Sequence, residues 1–146
     1  MTLRDYEPED FPTICAIDRL CFPPGIAYSA TEIASALRER GIIVVVGEEG
    51  GCVAGFVLAR RERQGHGHVV TVDVLPEFRQ VGLGTALMAE AHRRLKRIGV
   101  ERVLLETSVE NAPAIAFYAK LGYKTLRRLP RYYLGKIDAY LMAKDL

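Results

Sequence analysis

The chain has 146 residues and a mass of 16.2 kDa, with 49% apolar and 26% charged side chains. That suits one globular domain over residues 1–146 with a core of its own, and leaves no room for two. Twenty basic residues stand against 18 acidic ones, net +2, which argues against a dedicated nucleic-acid binder and against a disordered chain. No apolar run approaches the ~20 residues of a membrane span. Residues 1–7 carry acids where a signal peptide would be apolar, so a cytoplasmic protein without a membrane partner is expected. Cys15, Cys21 and Cys52 form no CxxC and no metal-ligand spacing, and read as reduced thiols.

Residues 3–6 predict a short strand. Phe11, Ile14, Ile17 and Leu20 have helical spacing, and Phe22-Pro23-Pro24-Gly25 ends that helix. Ser29-Ala30-Thr31-Glu32 is a capping box, opening a helix expected to run to Arg40-Gly41. Residues 42–46 are β-branched and predict a buried strand. Glu49-Gly50-Gly51 predicts a hairpin turn, with strands at 52–60 and 69–75. Leu83, Leu87, Ala91, Leu95 and Ile98 share one face of a long helix that Gly99 ends. Residues 103–106 form another strand. Asn111 caps a helix that turns Ala114, Phe117, Tyr118 and Leu121 inward, and 123–133 with 136–142 close the chain as a strand pair. The order β-α-α-β-β-β-α-β-α-β-β predicts a mixed α/β layer structure.

Charge is uneven along this order. Residues 1–50 hold 4 basic and 9 acidic side chains, residues 51–100 hold 8 and 4, and residues 101–146 hold 8 and 5. An anionic ligand would prefer the last two thirds. The same region carries the strongest local signal: a strand, then Arg79-x-x-Gly82-x-Gly84, then a helix. Free N–H groups and the positive end of a helix dipole suit a phosphate, and glycines let the backbone approach it. There is no Gly-Lys-Ser/Thr, Leu87 replaces a third dinucleotide-fold glycine, and no Gly-x-Ser-x-Gly elbow exists. Alone, the glycine pair also fits tight helix–strand packing.

Two motifs together narrow this. Val72-x-Val74-x-Pro76-x-Phe78-Arg79-x-x-Gly82-x-Gly84 resembles motif A of the GCN5-related N-acetyltransferases (GNAT). Asn111-x-x-Ala114-x-x-Phe117-Tyr118-x-x-x-Gly122-Tyr123 resembles their motif B. The element order matches that family along the whole chain. The resemblance implies a mostly antiparallel mixed sheet flanked by helices, splayed at an acetyl-coenzyme A site. Backbone groups of Gln80, Val81, Gly82, Leu83, Gly84 and Thr85 would hold the pyrophosphate. Val72, Asp73 and Val74 would pair with the pantetheine amides, and Asn111 would contact the pantetheine arm.

Leu105-Glu106-x-x-x-x-Asn111-x-x-Ala114-Ile115-Ala116-x-Tyr118 and Arg131-Tyr132-Tyr133-x-x-x-x-Asp138-Ala139-x-x-Met142 are similar to the RimI-like ribosomal-protein N-alpha-acetyltransferase branch. Residues 25–28 and Asp73 depart from that branch's pattern. The resemblance implies a protein N-terminal amine as acceptor, ribosomal protein S18 being the branch's usual client. It makes Glu106 the general base, Tyr118 the general acid, Phe22-Pro23 one wall of a peptide slot and Tyr132-Tyr133 the other. The residue types fit, since a carboxylate accepts an ammonium proton and a phenol donates to a thiolate. A backbone N–H near Val74 would polarise the acetyl carbonyl.

His68 is a rival base, because an imidazole titrates in the physiological range; its plain alternative is a strand-edge histidine. Asp73 lies in an otherwise apolar strand, where it would face a substrate cation, pair with an arginine or reach solvent. An α-amine has a pKa near 8 and a lysine near 10.4, so at neutral pH the α-amine is uncharged about 300-fold more often. A weakly placed carboxylate base therefore suits an N-terminal amine better than lysine. A small-molecule amine acetyltransferase with the same cofactor site, and a non-catalytic acyl-CoA-binding module, remain the alternatives.

Overall fold

The computed structural model describes residues 1–146. Seven strands form one sheet: β1 (Thr2–Asp5), β2 (Ile43–Glu49), β3 (Cys52–Arg61), β4 (His66–Val74), β5 (Arg102–Ser108), β6 (Lys124–Tyr133) and β7 (Ile137–Asp145), in spatial order β1-β2-β3-β4-β5-β7-β6. Every neighbouring pair is antiparallel except β4 and β5. Four helices flank it: α1 (Phe11–Cys21), α2 (Ala30–Leu37), α3 (Leu83–Arg97) and α4 (Ala112–Lys120). The expected α/β class, element order and mostly antiparallel sheet are all present. No helix is long and apolar enough to cross a membrane.

Both faces of the sheet are covered, which explains the unbroken apolar run of β2. Val45 of β2 and Ala54, Val57 and Ala59 of β3 meet Leu87, Met88, Ala91 and Leu95 of α3. Val44, Val46, Phe56 and Leu58 point the other way, onto Ile14, Ile17 and Ile33 of α1 and α2. Alternation along the strands sorts these residues to opposite layers, except that the register shift opposite Gly47 and Glu48 turns Ala54 to the α3 side. Burying each such Val, Leu, Ile or Phe contributes about 1.5–3 kcal/mol.

Some boundaries move. The capping box of α2 forms as expected, with Ser29 Oγ accepting from the Glu32 N–H at 3.0 Å and Glu32 bonding the Ser29 N–H at 2.9 Å. The helix then stops at Leu37, short of the expected Arg40-Gly41, and Gly41 takes φ +78° in the connection to β2. Ile98 is 42% exposed, so it lies off the inner face of α3 assigned to it. It follows the last helical residue, with φ −96° and ψ +17°, and the helical period no longer steers it inward. Strand β4 begins at His66, three residues before the expected start, which brings both His66 and His68 into the sheet.

The fork in the sheet follows from register. β4 and β5 pair only at His66–Arg102, Gly67–Val103 and His68–Leu104. Beyond them the strands separate, while β4 continues along β3 to Val74 and β5 along β7 to Ser108. Gly55 of β3 lets the two strands lie close at the open end. A Cβ there would stand 2.5 Å from the Asp73 carbonyl oxygen and 3.2 Å from Val74 Cα. Gly55→Ala is therefore expected to destabilise the fold by about 2 kcal/mol through overpacking against backbone, read as a lowered midpoint in urea unfolding.

Candidate active site

The fork opens into a cleft of about 650 Å³. One side is β4, from Val69 to Val74, and the other is the end of β5 with the start of α4. Only one edge of β4 is paired with a strand along residues 69–74; on the other, the Val70 and Val74 carbonyls accept from side chains, and the remaining backbone groups are open to an extended ligand.

At one end of the cleft lies the glycine turn. Gly82 caps α3 with φ +90°, and a Cβ there would meet nothing within 4 Å. Gln80 also has a left-handed backbone, φ +66°, which is costly for a residue with a Cβ and typical of functional turns. No side chain caps α3, and the first intrahelical bond comes from the Ala86 N–H to the Gly82 carbonyl at 3.0 Å. The N–H groups of Leu83, Gly84 and Thr85 are thus free of helical partners and suited to a phosphate. Gln80, Gly82, Gly84 and Thr85 line the cleft. Val81 is exposed and the Leu83 side chain is buried against Gly47, and neither side chain is part of the cleft lining.

Arg79, part of the same motif, turns away from the helix end. Its Nε–H donates to the Val74 carbonyl at 2.9 Å, and a second guanidinium nitrogen lies 3.5 Å from Cys21 Sγ. Asn111 caps α4, its Oδ1 accepting from the Ala114 N–H at 3.2 Å. That leaves its amide NH₂ to face the cleft, which it lines. The residues present fit a coenzyme A pyrophosphate and pantetheine arm, on the evidence of an uncapped helix end, an open glycine turn and an unpaired strand edge.

Glu106 and His68 meet where the fork begins. Glu106 Oε1 lies 2.7 Å from His68 Nε2, with both side chains mostly shielded from solvent. His68 is opposite Leu104 in the parallel register, and Glu106 follows Leu104 by two residues on the same face. The other ring nitrogen, Nδ1, is buried without a hydrogen bond, 3.7 Å from Glu62 Oε2. Glu106 and His68 are therefore one unit, whereas the sequence offered them as rivals.

Tyr118 projects from α4 into the same cleft. Burial pushes its phenol well above the usual tyrosine range, with the Asp73 carboxyl adding to the shift. The ring packs between Phe117 and Tyr123, centroids 5.4 and 5.8 Å away. Phe22, Pro23, Ile26 and Tyr28 form one wall, and Tyr132, Tyr133 and Ile137 the other. Burial raises the phenols of Tyr28, to about 12, and of Tyr132 and Tyr133, with the Glu106 carboxylate pushing all three the same way. The loops that follow Phe22-Pro23 and Tyr132-Tyr133 meet, since a Cβ added at Gly25 would overlap the Leu134 side chain.

Asp73 neither reaches solvent nor forms an ion pair with an arginine. It is 1% exposed and bonds Thr71 Oγ1, and its neighbour is the equally buried Asp18. The β3–β4 register sets it opposite Phe56, so its side chain enters the layer between the sheet and α1. Asp73 is also among the residues that line the cleft.

Comparison with known proteins agrees with this geometry. The profile of the acetyltransferase (GNAT) family matches residues 4–123. An N-alpha-acetyltransferase of Sulfurisphaera tokodaii is 35% identical, over 99% of this chain and 92% of its own. The ribosomal-protein-S18-alanine N-acetyltransferase of Escherichia coli superposes with a TM-score of 0.87 at 26% identity, covering 99% of this chain and 92% of that one. Ard1 of Thermoplasma volcanium gives 0.91 at 26%, covering 99% and 97%. With a family match over most of its length and a relative 35% identical along nearly the whole chain, the chain belongs to the GNAT family, and it is an N-acetyltransferase that uses acetyl-CoA.

Proposed function

We propose that the protein transfers the acetyl group of acetyl-CoA to the α-amine of a protein N-terminus in the cytoplasm. The observation that carries this reading is the slot over Glu106. Phe22, Pro23 and Tyr28 line it together with Tyr132 and Tyr133, an aromatic-rich lining beside the carboxylate that suits the first residues of an extended chain. The Sulfurisphaera relative bears the same activity in its name, and the Escherichia coli one acts on ribosomal protein S18. The N-terminus of S18 is accordingly the first acceptor to assay.

Acetyl-CoA supplies the activated acyl group. Its pyrophosphate would rest on the backbone of Gln80, Val81, Gly82, Leu83, Gly84 and Thr85. Its pantetheine would lie along Val72, Asp73 and Val74 and reach Asn111. The walls Phe22-Pro23 and Tyr132-Tyr133 orient the acceptor. Glu106, held by His68, takes the ammonium proton directly or through water and leaves a neutral amine to attack. The backbone N–H near Val74 stabilises the carbonyl oxygen as negative charge develops on it. Tyr118 donates its phenolic proton to the departing thiolate.

The test is mass spectrometry of a peptide panel incubated with enzyme and acetyl-CoA. The panel includes the S18 N-terminus, the same peptide with a blocked α-amine and an internal lysine, and free polyamines and amino acids. Acetylation of α-amines and not of lysine is the expected result. Modification of the free small amines alone would transfer the assignment to small-molecule acetylation.

A further inference from the structure

Beneath the acceptor wall lies a buried pair of carboxyl groups that the chemistry above does not use. Asp18, on α1, is fully buried, and Asp73, on β4, is 1% exposed. Each spends one oxygen on a donor: Asp18 Oδ2 accepts from the Tyr28 N–H at 2.7 Å, and Asp73 Oδ1 accepts from Thr71 Oγ1–H. The remaining oxygens, Asp18 Oδ1 and Asp73 Oδ2, are buried and receive no N–H or O–H. The two side chains are within hydrogen-bond reach of one another.

Buried acceptors are nearly always satisfied, and two carboxylates in contact cannot both stay ionised. One proton between the orphan oxygens meets both requirements. We propose that Asp18 and Asp73 share a single proton, and that the resulting acid–carboxylate pair is a positioning device that fastens the acceptor wall to the acetyl-CoA strand.

The other polar groups around the pair leave this role to the proton. Arg79, from the turn before α3, is directed to the Val74 carbonyl and Cys21. The Tyr28 hydroxyl reaches the Val70 carbonyl at 3.4 Å. Cys21 lies against the Val74 carbonyl at 3.5 Å. None of them supplies a hydrogen to either orphan oxygen. Burial, reinforced by the Asp18 carboxyl, holds Asp73 protonated well above the usual carboxylate range.

The chain of contacts runs Thr71, Asp73, shared proton, Asp18, Tyr28 N–H. It fixes the segment after Phe22-Pro23 to β4, the strand that borders the acetyl donor. This role in acceptor binding rests on the peptide-slot reading above; the shared proton itself does not.

The test has two arms. Infrared spectra of the parent at neutral pH are expected to show a protonated carboxylic acid band that shifts in D₂O and is missing from Asp73→Asn. Absence of that band overturns the shared proton, whatever the substrate proves to be. In kinetics with a peptide already shown to be acetylated, Asp18→Ala is expected to raise the peptide KM about tenfold while the acetyl-CoA KM stays within about twofold. Asp18→Asn carries its own N–H for Asp73 and keeps an oxygen for Tyr28, and is expected to restore the peptide KM to within about threefold of the parent. Equal rises in both KM values, or no rise in either, would overturn the positioning role. Should Asp18→Ala fail to fold, Asp18→Asn decides that role: a peptide KM well beyond threefold overturns it. A protein that acetylates no peptide yet shows the band keeps the carboxyl pair and loses the acceptor reading.

Discussion

Glu106→Gln is expected to lower kcat for peptide acetylation about a thousandfold, within the range a positioned general base contributes. Glutamine has the shape of glutamate and keeps a hydrogen-bonding partner for His68 Nε2, so the fork and the fold should persist. It loses only the capacity to accept a proton. The parent rate should depend only weakly on pH below the pKa near 8 of the acceptor α-amine, because Glu106 removes the ammonium proton in the complex. The variant should climb more steeply and stay lower, because without Glu106 only the amine already neutral in solution can react. His68→Gln should cost less, about tenfold, since it removes the group that orients the carboxylate and not the carboxylate itself. The double variant should be little worse than Glu106→Gln alone, the pattern of two residues acting as one unit. Stopped assays of coenzyme A release at saturating acetyl-CoA measure all three. A Glu106→Gln enzyme within tenfold of the parent would return Glu106 to the scaffold.

What the sequence disclosed about this site divides by the distance over which each feature is determined. The glycine turn was legible because Gly82, Gly84 and the apolar face of α3 are neighbours in the chain, and an uncapped helix start is local chemistry. The caps at Ser29 and Asn111 were legible for the same reason. The pairing of His68 with Glu106 was not, because it depends on a three-residue parallel register between strands 38 residues apart. Gly65 and Gly67 hid it further, because glycine is depleted in strands and the expected strand starts after them, at residue 69. In the fold, Gly67 is a strand residue whose missing Cβ makes room for Val100 and Leu95. Asp73 was recognisable as anomalous in an apolar strand, but its partner comes from a helix 55 residues earlier, and no periodicity connects them. The contact of Gly25 with Leu134 joins two loops from opposite ends of the chain. Leu134 stands with φ +57° in a tight turn where glycine or asparagine is the usual residue, and that conformation is invisible in its side-chain type.

Tyr118→Phe is expected to lower kcat about a hundredfold, as loss of a general acid does, with the acetyl-CoA KM within about twofold of the parent. The hydroxyl can donate throughout the assay range, because burial first and the Asp73 carboxyl second keep the phenol protonated above the usual tyrosine value. Phenylalanine retains the ring that packs on Phe117 and Tyr123, so a purely structural tyrosine would survive the change with kcat intact. The raised phenol also has a thermodynamic consequence. A group that binds its proton more tightly when folded contributes stability that is complete below the unfolded pKa, near 10 for tyrosine, and is lost as pH rises through the folded value. Tyr28, Tyr123 and Tyr133 are raised in the same direction. The parent should therefore lose stability steeply above about pH 10, and Tyr118→Phe should lose less over the same interval, having one fewer buried phenol to ionise. Urea midpoints across that interval separate the two roles of one residue: the alkaline slope reports the burial of the hydroxyl, and kcat at neutral pH reports its proton. A variant whose slope falls while kcat stands would leave the thiolate to take its proton from solvent.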